Sequence, residues 1–107
     1  MTAIWVLRGS DKDGAVTFRI PHGTSKTVGR AARADFIVKA ALVSRLHCRI
    51  VGGDQRMEVE DLSSTNGTFV NDKRIEKGHL TNGDRLRIGR VELKVERQTR
   101  KPPPKSQ

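Results

Sequence analysis

The sequence is short of cysteine, of aromatic residues and of unbroken apolar stretches. Cys48 stands alone, so no internal disulfide and no cysteine-rich zinc site can form. A single thiol suits a reducing compartment, the cytosol or the nucleus. His22, His47 and His79 lie far apart and show no metal-ligand spacing, so neither a metal nor a cofactor is expected. The longest apolar runs span only a few residues, too short for a membrane-crossing helix, and no membrane partner is expected. Ile4-Trp5-Val6-Leu7 follows Met1-Thr2-Ala3 with no basic segment ahead of it, so no secretory signal is expected. There is no tyrosine. Trp5, Phe18, Phe36 and Phe69 all fall at strand positions expected to be core, which leaves no platform for stacking bases. Gly-x-x-x-x-Gly-Lys and Gly-x-Gly-x-x-Gly loops are missing, so nucleotide binding has no support. Ser44-x-x-His47 could pair a nucleophile with a base, but no orienting acid and no Gly-x-Ser-x-Gly elbow accompanies it. An enzyme is not expected.

Positive charge is plentiful. The 107 residues hold 21 Lys and Arg against 12 Asp and Glu, a net charge of +9. An excess of this size favours an anionic partner: nucleic acid, an acidic surface or a phosphorylated peptide. Arg97, Arg100, Lys101 and Lys105 put +4 of it on residues 97–107, where there is no acid. That tail contains Lys101-Pro102-Pro103-Pro104-Lys105, and prolines donate no ladder hydrogen bonds. The expected organisation is one domain over residues 1–96 and a basic, proline-rich flexible linker over 97–107.

Short β-branched or alternating segments recur about every ten residues. They are Trp5–Arg8, Val16–Ile20, Thr27–Gly29, Phe36–Val38, His47–Val51, Met57–Asp61, Thr68–Val70, Asp84–Ile88 and Val91–Val95. Turn formers separate them, among them Asp11-Lys12-Asp13-Gly14, Gly52-Gly53-Asp54 and Asn82-Gly83-Asp84. This pattern predicts an all-β antiparallel sandwich or barrel. The last hairpin is the clearest: Leu86, Ile88, Val91, Leu93 and Val95 should face inward around a Gly89-Arg90 type II′ turn. Ala31–Ala34 is long enough for one helical turn and no more.

Three segments carry the chemistry. Thr27-Val28-Gly29-Arg30 ends a strand on an arginine. Leu42-Val43-Ser44-Arg45-Leu46-His47 leads into one. Asp61-Leu62-Ser63-Ser64-Thr65-Asn66-Gly67-Thr68-Phe69-Val70-Asn71 crosses a loop into another. Each alone is a common string. In this order and spacing, with Leu80-x-x-Gly83-Asp84-x-Leu86-x-Ile88-Gly89 after them, they resemble the forkhead-associated (FHA) domain, a phosphothreonine-recognition module. The resemblance covers roughly residues 4–96. It implies a two-sheet β-sandwich of about eleven strands with ligand loops at one end.

The resemblance also implies roles. Arg30 would anchor the phosphopeptide, Ser44 would donate to a phosphate oxygen, and Arg45 would supply a second cation. Thr65 would add a hydroxyl or backbone contact, and Asn66 would hold the ligand main chain. Gly29, His47, Gly67 and Asn71 would support the site, with His47 a scaffold residue and not a base. Leu42 departs from many relatives, which carry a polar or basic residue there. The position of the module ahead of a linker also loosely resembles the amino-terminal part of nibrin-like DNA-break repair proteins. That likeness implies an adaptor in nuclear or DNA-damage signalling. The competing reading is a basic nucleic-acid-binding domain, motivated by the net charge and the arginine-bearing tail.

Overall fold

The computed structural model describes residues 2–100, with the backbone alone described at Arg100. Among these residues there are eleven strands and no helix. In chain order they are β1 (Thr2–Asp11), β2 (Gly14–Pro21), β3 (Ser25–Gly29), β4 (Phe36–Ile37), β5 (Cys48–Gly52), β6 (Met57–Asp61), β7 (Thr68–Val70), β8 (Lys73–Ile75), β9 (Lys77–Leu80), β10 (Arg85–Ile88) and β11 (Val91–Arg100). Six of them form a sheet in the order β2-β1-β11-β10-β7-β8, and five form a second in the order β4-β3-β5-β6-β9.

Alternation makes the sandwich. Ile50, Met57, Val59 and Leu80 point inward from one sheet, and Trp5, Leu7, Leu86, Ile88, Leu93 and Val95 from the other. Removing such side chains from water is the main favourable term, about 1.5–3 kcal/mol for each large aliphatic one. Trp5 is fully buried, and its indole N–H donates to the Gly53 carbonyl at 2.8 Å, tying β1 to the β5–β6 turn. At the opposite margin the Phe18 and Phe36 rings stack with centroids 4.6 Å apart, joining edge strands β2 and β4. The β10–β11 hairpin closes at the Ile88–Val91 pair with Gly89 at φ 59°, and its five inward residues are all buried.

Four expectations change. The sheets are not wholly antiparallel, because β4 runs parallel to β3, with Val28 opposite Phe36. The Asp35 carboxylate supports this arrangement. It accepts from the Thr27 amide and hydroxyl, pulling the chain back beside β3 in the same direction. The domain does not end at residue 96. Arg97–Arg100 continue β11 against β1, with Trp5 opposite Arg97 and Thr2 opposite Arg100. A ladder recruits backbone whatever the side chains, and Arg97 is fixed further by its Nε bond to the Asp54 carbonyl at 2.7 Å. Residues 101–107, with the rest of the expected linker, lie outside the described residues. Strands β8 and β9 escape the apolar pattern because each is a short sheet edge with a single apolar residue, Ile75 and Leu80, at its end. Finally, Phe69 is not core. It is half-exposed on the outer face of the six-stranded sheet, under the Arg87 guanidinium at 4.1 Å.

Candidate functional site

The loops after β3, before β5 and between β6 and β7 meet at one end of the sandwich, and hydrogen bonds lock them together. The Arg30 amide donates to the Ser44 carbonyl at 2.9 Å, and the Ala31 amide to the Arg45 carbonyl at 3.0 Å. This approach needs Gly29, because a Cβ there would collide with the Arg45 carbonyl. The Arg30 Nε donates to the Val43 carbonyl at 3.0 Å, which fixes the side chain. Its terminal nitrogens make no hydrogen bond or ion pair among the described residues. The exposed Arg45 side chain likewise has no partner among them.

Ser44 joins two loops. Its Oγ accepts the Thr65 amide at 3.0 Å, so its own proton remains available to an acceptor. The same bond occupies the Thr65 N–H and leaves that residue's hydroxyl. Asn66 donates one amide hydrogen to the Leu42 carbonyl at 2.9 Å. Its other hydrogen and its carbonyl remain for a ligand main chain. Arg30, Ser44, Arg45, Thr65 and Asn66 therefore come from three separate segments into one hydrogen-bonded neighbourhood.

His47 is the post behind them. It is fully buried. The Ser44 amide donates to its Nδ1 at 3.0 Å, so its Nε2 carries the proton and donates to the Gly67 carbonyl at 2.8 Å. Both ring nitrogens are thus committed to backbone groups, and neither serves the Ser44 hydroxyl. This rules out the nucleophile–base pairing that Ser44-x-x-His47 suggests. Burial lowers the His47 pKa below its ordinary value, against the opposing pull of the Gly67 carbonyl and the Asp61 charge. The neutral form is the one the hydrogen bonds require.

Asp61 is a residue the sequence reading did not single out. Its carboxylate accepts from the Ser64 amide and hydroxyl and from the Thr68 hydroxyl. Burial pushes its pKa up, but these bonds outweigh it and hold the carboxyl below the usual range. Ser64 Oγ in turn accepts the Gly67 amide at 3.0 Å. Gly67 completes the turn at φ 91°, a value that a residue with a Cβ rarely adopts. The only sequence signal for Asp61 was its place at the head of the Ser-Ser-Thr-Asn-Gly run. Asn71 sits apart from these three loops. At φ 49°, it donates to Asp84 at 3.0 Å and accepts the Arg85 amide at 2.9 Å, tying the β7–β8 turn to the start of β10. Cys48, next to His47, is fully buried, and burial pushes its thiol up to about 12, which makes it inert. Lys39 pairs with Asp13 at 3.0 Å on the β1–β2 turn, so its charge is already matched.

Comparison with known proteins follows this geometry. A family model described as the FHA domain matches residues 26–89, which hold all three chemical segments. An ABC transporter ATP-binding/permease protein of Mycobacterium tuberculosis is 35% identical over 82 residues, 77% of this chain and 9% of the relative. The FHA domain-containing protein FhaA of the same organism is 35% identical over 85 residues, 79% of this chain and 16% of the relative. The glycogen accumulation regulator GarA of Mycolicibacterium smegmatis is 36% identical over 69 residues, 63% of this chain and 42% of the relative. The chain thus spans less than half the length of these curated relatives. Among solved structures, one from a study of phosphothreonine-dependent FHA domain interactions superposes with a TM-score of 0.77 at 32% identity, covering 94% of this chain and all of that one. The FhaA FHA domain complexed with the intracellular domain of Rv3910 gives a TM-score of 0.73 at 33% identity, covering 88% of this chain and 99% of that one. A family model over more than half of its length, together with relatives 35% identical over more than three quarters of it, makes this chain a member of the FHA domain family.

Proposed function

We propose that this chain is a non-catalytic module that binds phosphothreonine-containing segments of partner proteins. The observation that carries this reading is the convergence of unpartnered donors. They are the Arg30 terminal nitrogens, the Ser44 hydroxyl and the Arg45 guanidinium, on loops held rigid by Asp61 and His47. A phosphothreonine brings about −1.5 to −2 charges and three strong acceptors. Arg30 suits it because a guanidinium fork gives two parallel bonds to phosphate oxygens, and its Nε bond to Val43 orients the fork in advance. Ser44 donates to a third oxygen, Arg45 adds the second cation, Thr65 adds its hydroxyl, and Asn66 holds the ligand backbone.

Magnitudes make the site phospho-dependent. A hydrogen bond to a charged group contributes roughly 1.5–3 kcal/mol. A micromolar complex is worth about 8 kcal/mol. Three such bonds supply most of that, so an unphosphorylated peptide binds far more weakly. Titration of matched phosphorylated and unphosphorylated threonine peptides from a degenerate library tests the reading. Selective binding of phosphopeptides is expected; equal binding of both forms would overturn it.

The wider role we carry is an adaptor in kinase signalling. The nuclear, DNA-damage setting expected from the nibrin-like resemblance draws no support from the curated relatives named above, which are all bacterial. Of the tail cations that motivate the nucleic-acid reading, Arg97 is engaged with Asp54.

A further inference from the structure

Two open sheets leave four edge strands. Three of them are short: β4 has two residues, β8 three and β9 four. The fourth, β2, has eight, and Arg19 is its only charged residue. A long, lightly charged edge is a template for another strand. Register shows which groups it offers. A two-residue turn joins β1 to β2 at the Asp11–Gly14 pair, and beyond the other end the His22 amide donates to the Ala3 carbonyl at 3.0 Å. Bonded and non-bonded pairs alternate along an antiparallel ladder. The bonds to β1 therefore fall on Gly14, Val16, Phe18 and Ile20, and the backbone groups of Ala15, Thr17 and Arg19 turn outward. These three residues are exposed, and their outward groups have no hydrogen-bond partner among the described residues. Both flanks of the row are closed. Pro21 has no N–H, and its carbonyl accepts from the Thr24 amide and hydroxyl. The Asp13 amide donates to the Asp11 carboxylate at 2.9 Å.

Open residues at even spacing make a self-complementary row. Turned about a two-fold axis at Thr17, a second copy sets its Arg19 opposite Ala15, its Thr17 opposite Thr17 and its Ala15 opposite Arg19. Every outward N–H then meets an outward C=O. The side chains agree, because Thr–Thr is a favoured cross-strand pair and arginine meets alanine rather than arginine. Neighbouring registers fail. Sliding toward Arg19 sets the two Arg19 side chains against each other and puts Pro21, which has no N–H, opposite Thr17. Sliding toward Ala15 puts Thr17 opposite Asp13, whose amide is already taken. A foreign strand would have to bring this pattern; a second copy carries it. The β1–β2 turn lies at the loop end of the sandwich, since the Lys12 amide donates to the carbonyl of Lys39, which shortly precedes Leu42, the acceptor of Asn66. Antiparallel pairing therefore points the two loop ends in opposite directions.

We propose that two copies of this chain pair through their β2 edges, antiparallel about a two-fold axis at Thr17, to make one continuous sheet. On the phosphothreonine reading, which this consequence needs and the dimer does not, such a dimer joins two phosphorylated partners. The test follows the mass of the full chain by sedimentation from micromolar to millimolar concentration. A monomer–dimer equilibrium is expected, strengthened by salt because each copy carries +9. Ala15→Glu sets an acid opposite Arg19 on both sides of the axis and should tighten the dimer about fivefold; Ala15→Arg should loosen it by about as much. Thr17→Cys should give a disulfide-linked dimer under mild oxidation, because the Cα atoms of a bonded cross-strand pair stand about 5.5 Å apart. Arg19→Cys should not, because its two copies stand more than about 13 Å apart. Cys48 is fully buried and does not compete. A monomer at every concentration overturns the proposal. So does a dimer indifferent to both Ala15 substitutions, a dimer that salt dissolves, or equal cross-linking at positions 17 and 19. Phosphopeptide binding, measured on the same samples, separates the two readings: its absence overturns the phosphothreonine reading and leaves the dimer standing.

Discussion

On the outer face of the five-stranded sheet, Arg49 and Lys77 flank Glu60 at 3.8 and 3.6 Å, and His79 lies 4.0 Å from Glu58. At the loop end, Arg30 and Arg45 make no ion pair among the described residues, and the Asp61 carboxylate is consumed by Ser64 and Thr68. Both regions are charged, and both stand on the same sandwich. The sheet face pairs its charges across strands, as β-sheets commonly do. The loop end instead tethers its arginines by backbone contacts and leaves their charge unmatched. Unmatched cations on a rigid frame cost stability through mutual repulsion and make sense only if an anion arrives from outside. That contrast, more than the net charge of +9, separates a binding surface from a solvated one.

The contrast can be broken most forcefully at Arg30. Arg30→Ala should weaken phosphopeptide binding by about 100-fold, the equivalent of two charged hydrogen bonds. Loss of the Val43 contact should lower the thermal midpoint by only a few degrees. A variant that binds normally, or one that unfolds, would show Arg30 to be scaffold.

A smaller effect should follow acidification. The folded state lowers the His47 pKa, so near pH 6 the unfolded chain holds more protons than the folded one. Stability is therefore full above about pH 6.5, the ordinary histidine value, and declines as pH falls below it. Protonation at Nδ1 also breaks the Ser44 amide bond and unlocks the loop. The carboxylate Asp61, whose pKa is lowered from 3.8, contributes only in a more acidic window. Thermal midpoints of wild type and His47→Gln between pH 5 and pH 8 check this; the wild-type slope should vanish in the variant, and identical slopes would refute it.

The sheet face should give the smallest response. Lys77→Ala removes an exposed partner of Glu60 and should change stability by no more than about 0.5 kcal/mol. Phosphopeptide affinity should stay unchanged. A marked loss of binding on Lys77→Ala would mean that the paired face takes part in recognition.

Much of the fold was legible because burial imposes period-two alternation. Leu86, Ile88, Leu93 and Val95 announced their hairpin, and Asn66-Gly67 and Gly89-Arg90 announced turns. Where no face is fully buried, that signal fails. Lys73–Ile75 and Lys77–Leu80 are edges, and Arg97–Arg100 is a ladder extension without an apolar stripe, so all three were missed. Phe69 misled for the opposite reason: aromatic residues in strands are usually core, but Thr68 takes the inward position here and Phe69 the outward one. At the site, Arg30, Ser44 and Asn66 could be picked out as motif residues. The support from Asp61 could not, since its partners are recognised only by geometry.

The order of apolar and turn residues, read by itself, determined that this chain is a sandwich of short strands and which loops carry polar groups. Tertiary structure alone decided that Arg30, Ser44, Arg45, Thr65 and Asn66 share one rim, and that Arg87 lies over Phe69. Alternation is a local property written along the chain. Convergence depends on how two sheets stack and how three loops hydrogen-bond to one another, and on which cations that packing leaves without an acid.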